Sequence, residues 1–343
     1  MTARPLAFVS AVELHLPPGG EQDFGQAHAL GLADPQARER DGYEALTVAD
    51  RPAPDLAAEA GGKALAAAGV EPSRLGLLFH AWIYHQGHDF WSPAHYVARE
   101  IGALGATAIG VQQMCNGGAG ALELAVQALA ADARLDHVLV TTADRFAAPG
   151  FDRWRGDYGV CYGDGATAVV LGRRSGGYAL LGARSTSAPE LEQMHRGDDP
   201  FSLAAGSADT IDVRRTKKAY LTRYGSDAFA LSCALAVRRV MQAALDQAGV
   251  NGADIDVVAL PRLGLSVLEA AYLPVVREVL DRARVVVLGR RTGHLGAGDA
   301  AANLAELPKG ADLAPGTLAA LISGGAGFSW SCLILRVEDD ALD

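Results

Sequence analysis

Residues 110–125 read Gly-Val-Gln-Gln-Met-Cys-Asn-Gly-Gly-Ala-Gly-Ala-Leu-Glu-Leu-Ala, and no other stretch says as much about fold and chemistry. An apolar segment ends just before Cys115, small residues follow, and apolar residues at helical spacing then continue to Leu129. This order predicts a thiol at the start of a buried helix, where the helix dipole and free N–H groups stabilise a thiolate. The local pattern alone predicts a nucleophile and a plain buried cysteine about equally, because buried cysteines are common.

The composition predicts a cytoplasmic α/β protein. The 343 residues suffice for one large α/β unit or two fused modules, and 50% of them are hydrophobic. The net charge is -10 and no basic run is long enough to follow a phosphate backbone, which disfavours nucleic-acid binding. The longest apolar runs are strand-sized and no signal peptide is recognisable, so we expect neither a membrane span nor export. The four cysteines are far apart, which disfavours disulfides and zinc.

Short apolar runs alternate with amphipathic stretches, a pattern typical of βαβ units. Strands are predicted at 6–12, 75–82, 106–114, 137–142, 166–171, 256–260, 285–288, 319–323 and 331–337, and helices at 55–68, 94–101, 118–131, 229–248, 267–282 and 300–307. The order of elements repeats between the two halves, and Cys115 and His294 fall at equivalent strand-to-helix corners. We therefore expect a pseudo-twofold that brings both corners to one site, with residues 183–225 as an insertion or cap over it.

Four segments together resemble the ketoacyl-ACP synthase III group of the thiolase fold. They are residues 111–126, residues 162–171 (Tyr-Gly-Asp-Gly-Ala-Thr-Ala-Val-Val-Leu), residues 292–299 (Thr-Gly-His-Leu-Gly-Ala-Gly-Asp) and residues 323–330 (Ser-Gly-Gly-Ala-Gly-Phe-Ser-Trp). The resemblance implies a five-layered α-β-α-β-α fold of two pseudo-symmetric halves, with halves at 1–180 and 227–343 and a cap at 181–226. It also implies a homodimer, a cysteine acyl-enzyme, acyl-CoA or acyl-carrier-protein donors, and no cofactor.

Two departures from that family bear on the reaction. Its decarboxylating members carry a histidine in a His-Gln-Ala-Asn stretch, where this chain has Pro261-Arg-Leu-Gly264, and an asparagine where this chain has His294. The pattern is similar to a divergent branch of polyketide and antibiotic acyltransferases and starter-unit synthases, whose reactions include malonyl transfer to sugars of cervimycin-type compounds. In that branch a second histidine from the insertion joins the site and an aspartate supports the first, and His195 and Asp299 match those positions.

An acyl transfer through a thiolate needs a nucleophile, a base and oxyanion donors. We assign the nucleophile to Cys115 and the base to His294, with Asp299 to orient the imidazole; an acid at the start of the following helix is the structural alternative for Asp299. The expected oxyanion donors are the backbone N–H groups of Cys115 and Ala326. The expected substrate-binding residues, besides His195 as a second catalytic histidine, are Arg153, Arg155 and Trp91.

Several alternatives stay open. His85 and His88 have helical spacing, but no recognised zinc pattern surrounds them and we expect no metal. The basic run 214–218 fits either a docking site for an acidic carrier or CoA, or a solvated face. The preferred function is acyl transfer to a hydroxyl of a natural product. The alternatives are a starter-unit ketosynthase that forms a carbon–carbon bond, and a non-catalytic partner subunit of a ketosynthase.

Overall fold

The computed structural model describes residues 4–18, 20–203, 210–311 and 313–339. Its strands are β1 (Ala7–His15), β2 (Glu21–Asp23), β3 (Ala45–Thr47), β4 (Leu75–Ala81), β5 (Thr107–Val111), β6 (His137–Asp144), β7 (Gly165–Gly172), β8 (Tyr178–Ser187), β9 (Val257–Ala259), β10 (Arg284–Val286), β11 (Leu318–Gly325) and β12 (Ser329–Val337). Its α-helices are α1 (Phe24–Ala29), α2 (Pro35–Glu39), α3 (Ala53–Ala67), α4 (Pro93–Glu100), α5 (Gly117–Ala131), α6 (Gln193–Arg196), α7 (Val213–Tyr224), α8 (Ser226–Ala248), α9 (Leu265–Ala271), α10 (Leu273–Val279) and α11 (Asp299–Ala311).

Ten strands form one mixed sheet made of two equivalent halves, in the order β10-β9-β11-β12-β8-β1-β7-β6-β4-β5. In the first half β4 pairs in parallel with β5 and β6, while β6–β7 and β7–β1 are antiparallel. The second half repeats this scheme, with β9 parallel to β10 and β11, and with β11–β12 and β12–β8 antiparallel. The halves join through a short antiparallel pairing of β1 with β8. The repeat predicted from element order is therefore present in the pairing scheme.

Helices cover both outer faces and fill the space between the halves. Apolar side chains of α3 and α4 pack on one face of the first half, and those of α8, α9 and α10 pack on one face of the second. Residues of α5 and α11 share a third cluster with strands of both halves. These layers follow the order α-β-α-β-α, as predicted. Strands such as β6 and β7 are covered on both faces, and their residues are therefore buried almost without interruption instead of alternating between buried and exposed.

The two halves meet where α5 and α11 begin. A short 3-10 turn, Met114–Asn116, leads from β5 into α5, and a second, Gly296–Gly298, leads into α11. The turns approach so closely that a Cβ on Gly118 would lie 2.3 Å from the carbonyl oxygen of Ala297, so only glycine fits there. The corners that hold Cys115 and His294 are thus brought to one place in the molecule.

Strand β8 is the largest correction to the predicted elements. Residues 183–225 were predicted to form an insertion or cap over the site, but β8 continues to Ser187 in the middle of the sheet, paired with β12 and β1. The predicted boundary between first half and cap, at residue 180, therefore falls inside a core strand. Within the rest of the segment the structure contains α6 and α7, and residues 204–209 lie outside the described residues.

One predicted helix is divided into two in the structure. The helix predicted at 267–282 is split into α9 and α10, with Pro274 in the first turn of α10, because proline cannot continue a helix through its own position.

Helix α8 is long and apolar enough to cross a membrane by length and composition alone. One stripe of it, which includes Val237, Met241 and Leu245, packs into the core cluster with β8 and β12, while Leu231 and Leu235 on the other side are exposed.

Candidate active site

Cys115 lies in the 3-10 turn between β5 and α5. The preceding residue, Met114, has a φ of 50°, a left-handed conformation that non-glycine residues seldom adopt and that turns the chain sharply before the helix. Cys115 is partly exposed, whereas Cys161, Cys233 and Cys332 are buried. Burial raises the pKa of the Cys233 and Cys332 thiols to about 12. Cys115 is therefore the least buried of the four thiols. Cys233 borders the same chamber, but burial keeps its thiol protonated at neutral pH.

His294 and Asp299 form a buried hydrogen-bonded pair next to Cys115. Nδ1 of His294 donates to Oδ2 of Asp299 at 2.6 Å, and both side chains are almost fully buried. Oδ1 of Asp299 accepts the N–H of Leu295 at 2.9 Å, which fixes the carboxylate at the start of α11. With Nδ1 held in this way, Nε2 is left free of any hydrogen bond in the described structure and faces the same chamber as Cys115. Asp299 therefore both contacts the imidazole, as an orienting residue would, and stands at the start of α11, as the structural alternative predicted.

The charges around this pair favour a protonated imidazole. Burial opposes the positive charge, but the Asp299 carboxylate and the Cys115 thiol outweigh it and raise the pKa of His294 well above its usual value. Burial likewise opposes the charge of Asp299, but His294 and Arg262 hold the pKa of its carboxyl below the usual value. A histidine with a raised pKa next to a thiol takes the proton of that thiol readily.

The chamber in front of Cys115 and His294 has a volume of about 210 Å³ and mostly apolar walls. Its apolar lining includes Leu221, Phe229, Leu263, Val267, Phe328 and Trp330. His195 from α6 also lines it, with its ring edge-on to Phe328 at 5.6 Å between centroids. Burial, together with the charge of Lys217, lowers the pKa of His195 to about 4, so its imidazole is neutral at physiological pH. The structure therefore brings Cys115, His294, Asp299 and His195 together.

Ala326 also lines the chamber, in the turn between β11 and β12 that packs against the Cys115 turn. Asn116 ties the two segments together, because its Nδ2 donates to Oγ of Ser331 at 2.9 Å. The backbone of Ala326 thus borders the same space as the thiol, as an oxyanion donor requires. Its role and that of the Cys115 N–H stay predictions.

Arg153, Arg155 and Trp91 lie outside this chamber. The guanidinium of Arg153 donates to both carboxylate oxygens of Asp164 at 3.1 Å, and thereby holds a buried turn. Arg155 is on the surface, paired with Asp152. Trp91 is 39% exposed and contacts two neighbouring aromatic rings instead of the thiol's surroundings. Their predicted contact with substrate thus has no support from the geometry around Cys115.

His85 and His88, which were considered for a metal, are both exposed, and His88 lies edge-on to the ring of Trp91. His80 is buried and hydrogen-bonds Thr141 and Gln86, while His85 is exposed. Across residues 4–18, 20–203, 210–311 and 313–339, no group of three or more His, Cys, Asp or Glu side chains is arranged to hold a metal ion.

Arg262 supports the His294–Asp299 pair and was not among the predicted site residues. It lies on the loop after β9 and is completely buried, and its backbone N–H donates to Oδ2 of Asp299 at 2.8 Å. Its guanidinium donates to Asn303, Thr292 and Glu306. The side chain therefore turns away from the chamber and supports the residues behind the His294–Asp299 pair. A charged residue within the apolar context of 256–264 was the available signal.

Asp157 and Tyr162 were also not among the predicted site residues, and Lys217 was predicted only as part of the basic run 214–218. Nζ of Lys217 donates to Oδ1 of Asp157 at 2.5 Å, and the hydroxyl of Tyr162 donates to Oδ2 of Asp157 at 3.0 Å. The Tyr162 ring stands edge-on to His294, with centroids 5.1 Å apart. On α7 the buried positions Val213, Thr216 and Tyr220 place Lys217 at the edge of the buried face, a spacing that could have identified it.

Comparison with known proteins agrees with this geometry. The family model of 3-oxoacyl-[acyl-carrier-protein] synthase III matches residues 109–189, and the model of its C-terminal part matches residues 245–337. The β-ketoacyl-[acyl-carrier-protein] synthase III of Thermosynechococcus vestitus is 28% identical over 329 residues, which cover 92% of this chain and 94% of that protein.

Among solved structures, the acyltransferase ChlB3 is similar with a TM-score of 0.88 and 33% identity, covering 98% of both chains. The 3-oxoacyl-[acyl-carrier-protein] synthase III from Aquifex aeolicus (TM-score 0.78, 22% identity, 96% of this chain and 99% of that chain) and the priming β-ketosynthase of the R1128 polyketide pathway (TM-score 0.74, 21% identity, 99% and 98%) share the fold. Together, the matched models, the relatives and the thiol–imidazole corner show that this chain is a thiolase-fold enzyme of the 3-oxoacyl-[acyl-carrier-protein] synthase III family.

Proposed function

We propose that the enzyme moves an acyl group from CoA or an acyl carrier protein onto Cys115, and from there to a hydroxyl group of a natural product. In the first half-reaction, Nε2 of His294 takes the thiol proton and the thiolate attacks the thioester carbonyl of the donor. The N–H groups of Cys115 and Ala326 stabilise the oxyanion. The thiolate of CoA or of the carrier leaves, takes the proton from His294, and the acyl group stays on Cys115.

In the second half-reaction the same imidazole acts on the acceptor. His294 removes the proton of the acceptor hydroxyl as its oxygen attacks the acyl-enzyme carbonyl, and an ester forms when the Cys115 thiolate leaves. The proton on His294 then returns to the thiolate. Asp299 keeps Nδ1 protonated, so that Nε2 is the nitrogen that accepts each proton in turn.

The observation that carries this proposal is the placement of the side chains of loop 261–264 relative to the chamber. Decarboxylative relatives of the family carry a histidine there, which donates to the malonyl thioester carbonyl together with an asparagine. Here Arg262 is completely buried behind Asp299 and only Leu263 of this loop borders the chamber with an apolar side chain. Ester formation needs only a base and an oxyanion site, and both are available. The acyltransferase ChlB3, 33% identical, fits the same assignment.

A starter-unit ketosynthase is the second candidate, and His195 favours it. Its imidazole is neutral, borders the chamber and could join His294 as a paired donor to a malonyl thioester. The third candidate, a non-catalytic subunit, is disfavoured because the thiol, its base and the orienting carboxylate are all retained in contact geometry.

We also propose that the enzyme acts as a homodimer in the cytoplasm. Strand β5 is at the sheet edge and, within the described chain, pairs only with β4, although Ile109 on it and Leu124 on the adjoining α5 are about 40% exposed. Unpaired edges of this kind are usually covered in natural proteins, and a twofold copy of the same strand would cover this one. Sedimentation of the wild type and of Ile109→Lys tests this: the variant is expected to sediment as a monomer.

The reaction is tested with ¹⁴C-labelled malonyl, acetyl and butyryl thioesters of CoA and of a carrier protein. Intact mass after mixing should show an adduct on the wild type and none on Cys115→Ala, with Cys161→Ala as the matched control that keeps it. Addition of an alcohol acceptor should then release a labelled ester without labelled CO2. Labelled CO2 released together with a carbon–carbon product would establish the ketosynthase instead. An adduct that persists in Cys115→Ala would overturn the assigned nucleophile.

A further inference from the structure

One corner of the chamber is polar, although the rest is apolar. Asp157 and Lys217 both line the chamber and form an ion pair in which their side chains are only 2% and 17% exposed. Among the described residues that line the chamber, Lys217 is the only lysine or arginine. A buried ion pair contributes little net stability, because desolvation offsets the attraction between its charges. Helix α7 is moreover tied to the same loop by Arg214, whose Nε donates to the carbonyl oxygen of Asp157 at 2.8 Å. Anchoring α7 therefore does not by itself account for the pair.

The pair has hydrogen-bonding capacity left for a ligand. A lysine ammonium has three N–H donors, and in the described structure Asp157 accepts only one of those of Lys217. Oδ1 of Asp157 takes that bond and the N–H of Tyr158, while Oδ2 takes only the hydroxyl of Tyr162. A carboxylate oxygen accepts about two hydrogen bonds. Two donors and about one acceptor site are thus left at the chamber wall.

The charges of this corner discriminate between ligand classes. Asp157 and Lys217 neutralise each other, His195 beside them is uncharged, and His294 is balanced by Asp299. A ligand carboxylate would therefore bring an uncompensated charge into a largely apolar space, which is costly. A hydroxyl group is neutral, accepts from the ammonium, and donates to the free lone pair of Asp157. It satisfies both partners at once.

We propose that the acyl group carried on Cys115 is an apolar chain bearing a hydroxyl, and that Asp157 and Lys217 bind this hydroxyl. This inference rests on the proposed acyl-enzyme and specifies its substrate class. It favours hydroxyacyl thioesters over plain alkyl ones, and over dicarboxylic ones such as malonyl. The apolar walls hold the carbon chain, and the ion pair fixes the hydroxyl.

The test is a competition for loading on Cys115, read by intact mass. Hexanoyl-CoA competes in turn with its 3-, 4-, 5- and 6-hydroxy derivatives and with malonyl-CoA. In the wild type, one hydroxy position is expected to load about tenfold or more faster than hexanoyl, the effect of a hydrogen bond to a charged group. Malonyl is expected to load no faster than hexanoyl. The scan over positions finds the isomer whose hydroxyl reaches the pair.

The variants show whether the pair causes the preference. Lys217→Met should bring the hydroxy-to-hexanoyl ratio close to one, while Lys218→Met, an exposed neighbour on the same helix, should keep the wild-type ratio. Asp157→Asn leaves the lysine charge unbalanced and should raise loading of malonyl relative to hexanoyl. A wild-type ratio near one at every position, or a preference that survives in Lys217→Met, overturns the inference while leaving the acyl-enzyme intact. If no thioester loads at all, the proposed function itself fails.

Discussion

Replacing Asp299 with asparagine tests how the base is held. The carboxylate accepts three hydrogen bonds: from Nδ1 of His294 at 2.6 Å, from the N–H of Arg262 at 2.8 Å and from the N–H of Leu295 at 2.9 Å. An asparagine side chain has only one oxygen, and its NH2 group takes the place of the other. If the NH2 group faces Leu295, it opposes the N–H donor of that residue. If it faces His294, it opposes the N–H of Arg262 and forces His294 into the wrong tautomer. The variant also removes the negative charge that raises the pKa of His294.

The size of the effect follows from those contacts. A buried hydrogen bond to a charged group is worth roughly 1.5–3 kcal/mol, which corresponds to about a 10- to 150-fold lower rate of loading. Loss of the base in His294→Ala should cost more, about 10²–10⁴-fold. In Asp299→Asn the pH midpoint that belongs to His294 should also move to lower pH, because the carboxylate that contributes most against burial is then gone.

The assay is single-turnover loading of Cys115 by intact mass between pH 5 and 9. Asp136→Asn, a surface aspartate paired with Arg74, is the matched control and should load like the wild type. Thermal unfolding of each variant separates loss of fold from loss of rate. The reasoning is refuted if Asp299→Asn is folded and keeps both the wild-type rate and the wild-type midpoint.

Three further predictions concern the scaffold of the site. Arg262→Met should lower the free energy of unfolding by about 3–5 kcal/mol, measured by urea titration, because it leaves buried partners of the guanidinium unpaired. Gly296→Ala should lower the melting temperature by several degrees, whereas Gly62→Ala, at an open helical position, should not; Gly296 has a φ of 61° and its Cβ would lie 2.1 Å from Oδ2 of Asp144. Burial lowers the pKa of His80 to about 4, below its value of about 6.5 in the unfolded chain. The contribution of His80 to the free energy of unfolding is therefore present above pH 6.5 and is lost as the pH falls towards 4, by on the order of 3 kcal/mol in full. We expect a His80→Gln variant to lose this pH dependence. The same dependence of the unfolding free energy on pH in that variant and in the wild type would contradict the assignment.

The parts of the fold that follow local patterning could be predicted. Strands β4, β6 and β7 contain apolar runs of strand length, and α5 and α11 each follow a corner of small residues. The order of these elements was therefore enough to predict that Cys115 and His294 occupy equivalent corners of the two halves. Strand β8 was missed although its first half, Tyr178 to Ala183, is mostly apolar; its second half, Arg184-Ser-Thr-Ser187, is polar and resembles a loop. These residues lie on a strand because β12 pairs with them along its length, and such a partner is remote in sequence.

In the site, as in the fold, contacts between residues close in sequence could be predicted and contacts between residues far apart in sequence could not. Asp299 lies five residues from His294, so the turn between them already restricts their separation. Asp157 and Lys217 are 60 residues apart and meet only because α7 folds back over the chamber. Arg262 and Asp299 are 37 residues apart and are joined by a backbone N–H, which no side-chain pattern encodes. Motifs could therefore indicate the proposed reacting atoms, whereas the residues that support them could be found only in the structure.

The loop after β9 is the part of the structure that bears most directly on the proposed reaction. A side chain there can point into the chamber and bind a substrate carbonyl, or point back and bind the residues behind the base. Arg262 does the latter: its backbone N–H and Nδ1 of His294 share Oδ2 of Asp299, so it supports the charge that keeps the imidazole basic. Deprotonation of an alcohol depends on a strong, well-oriented base, whereas decarboxylation depends on a second donor to the thioester carbonyl. A loop that strengthens the base and contributes only Leu263 to the chamber wall therefore favours transfer to a hydroxyl, and leaves condensation dependent on His195.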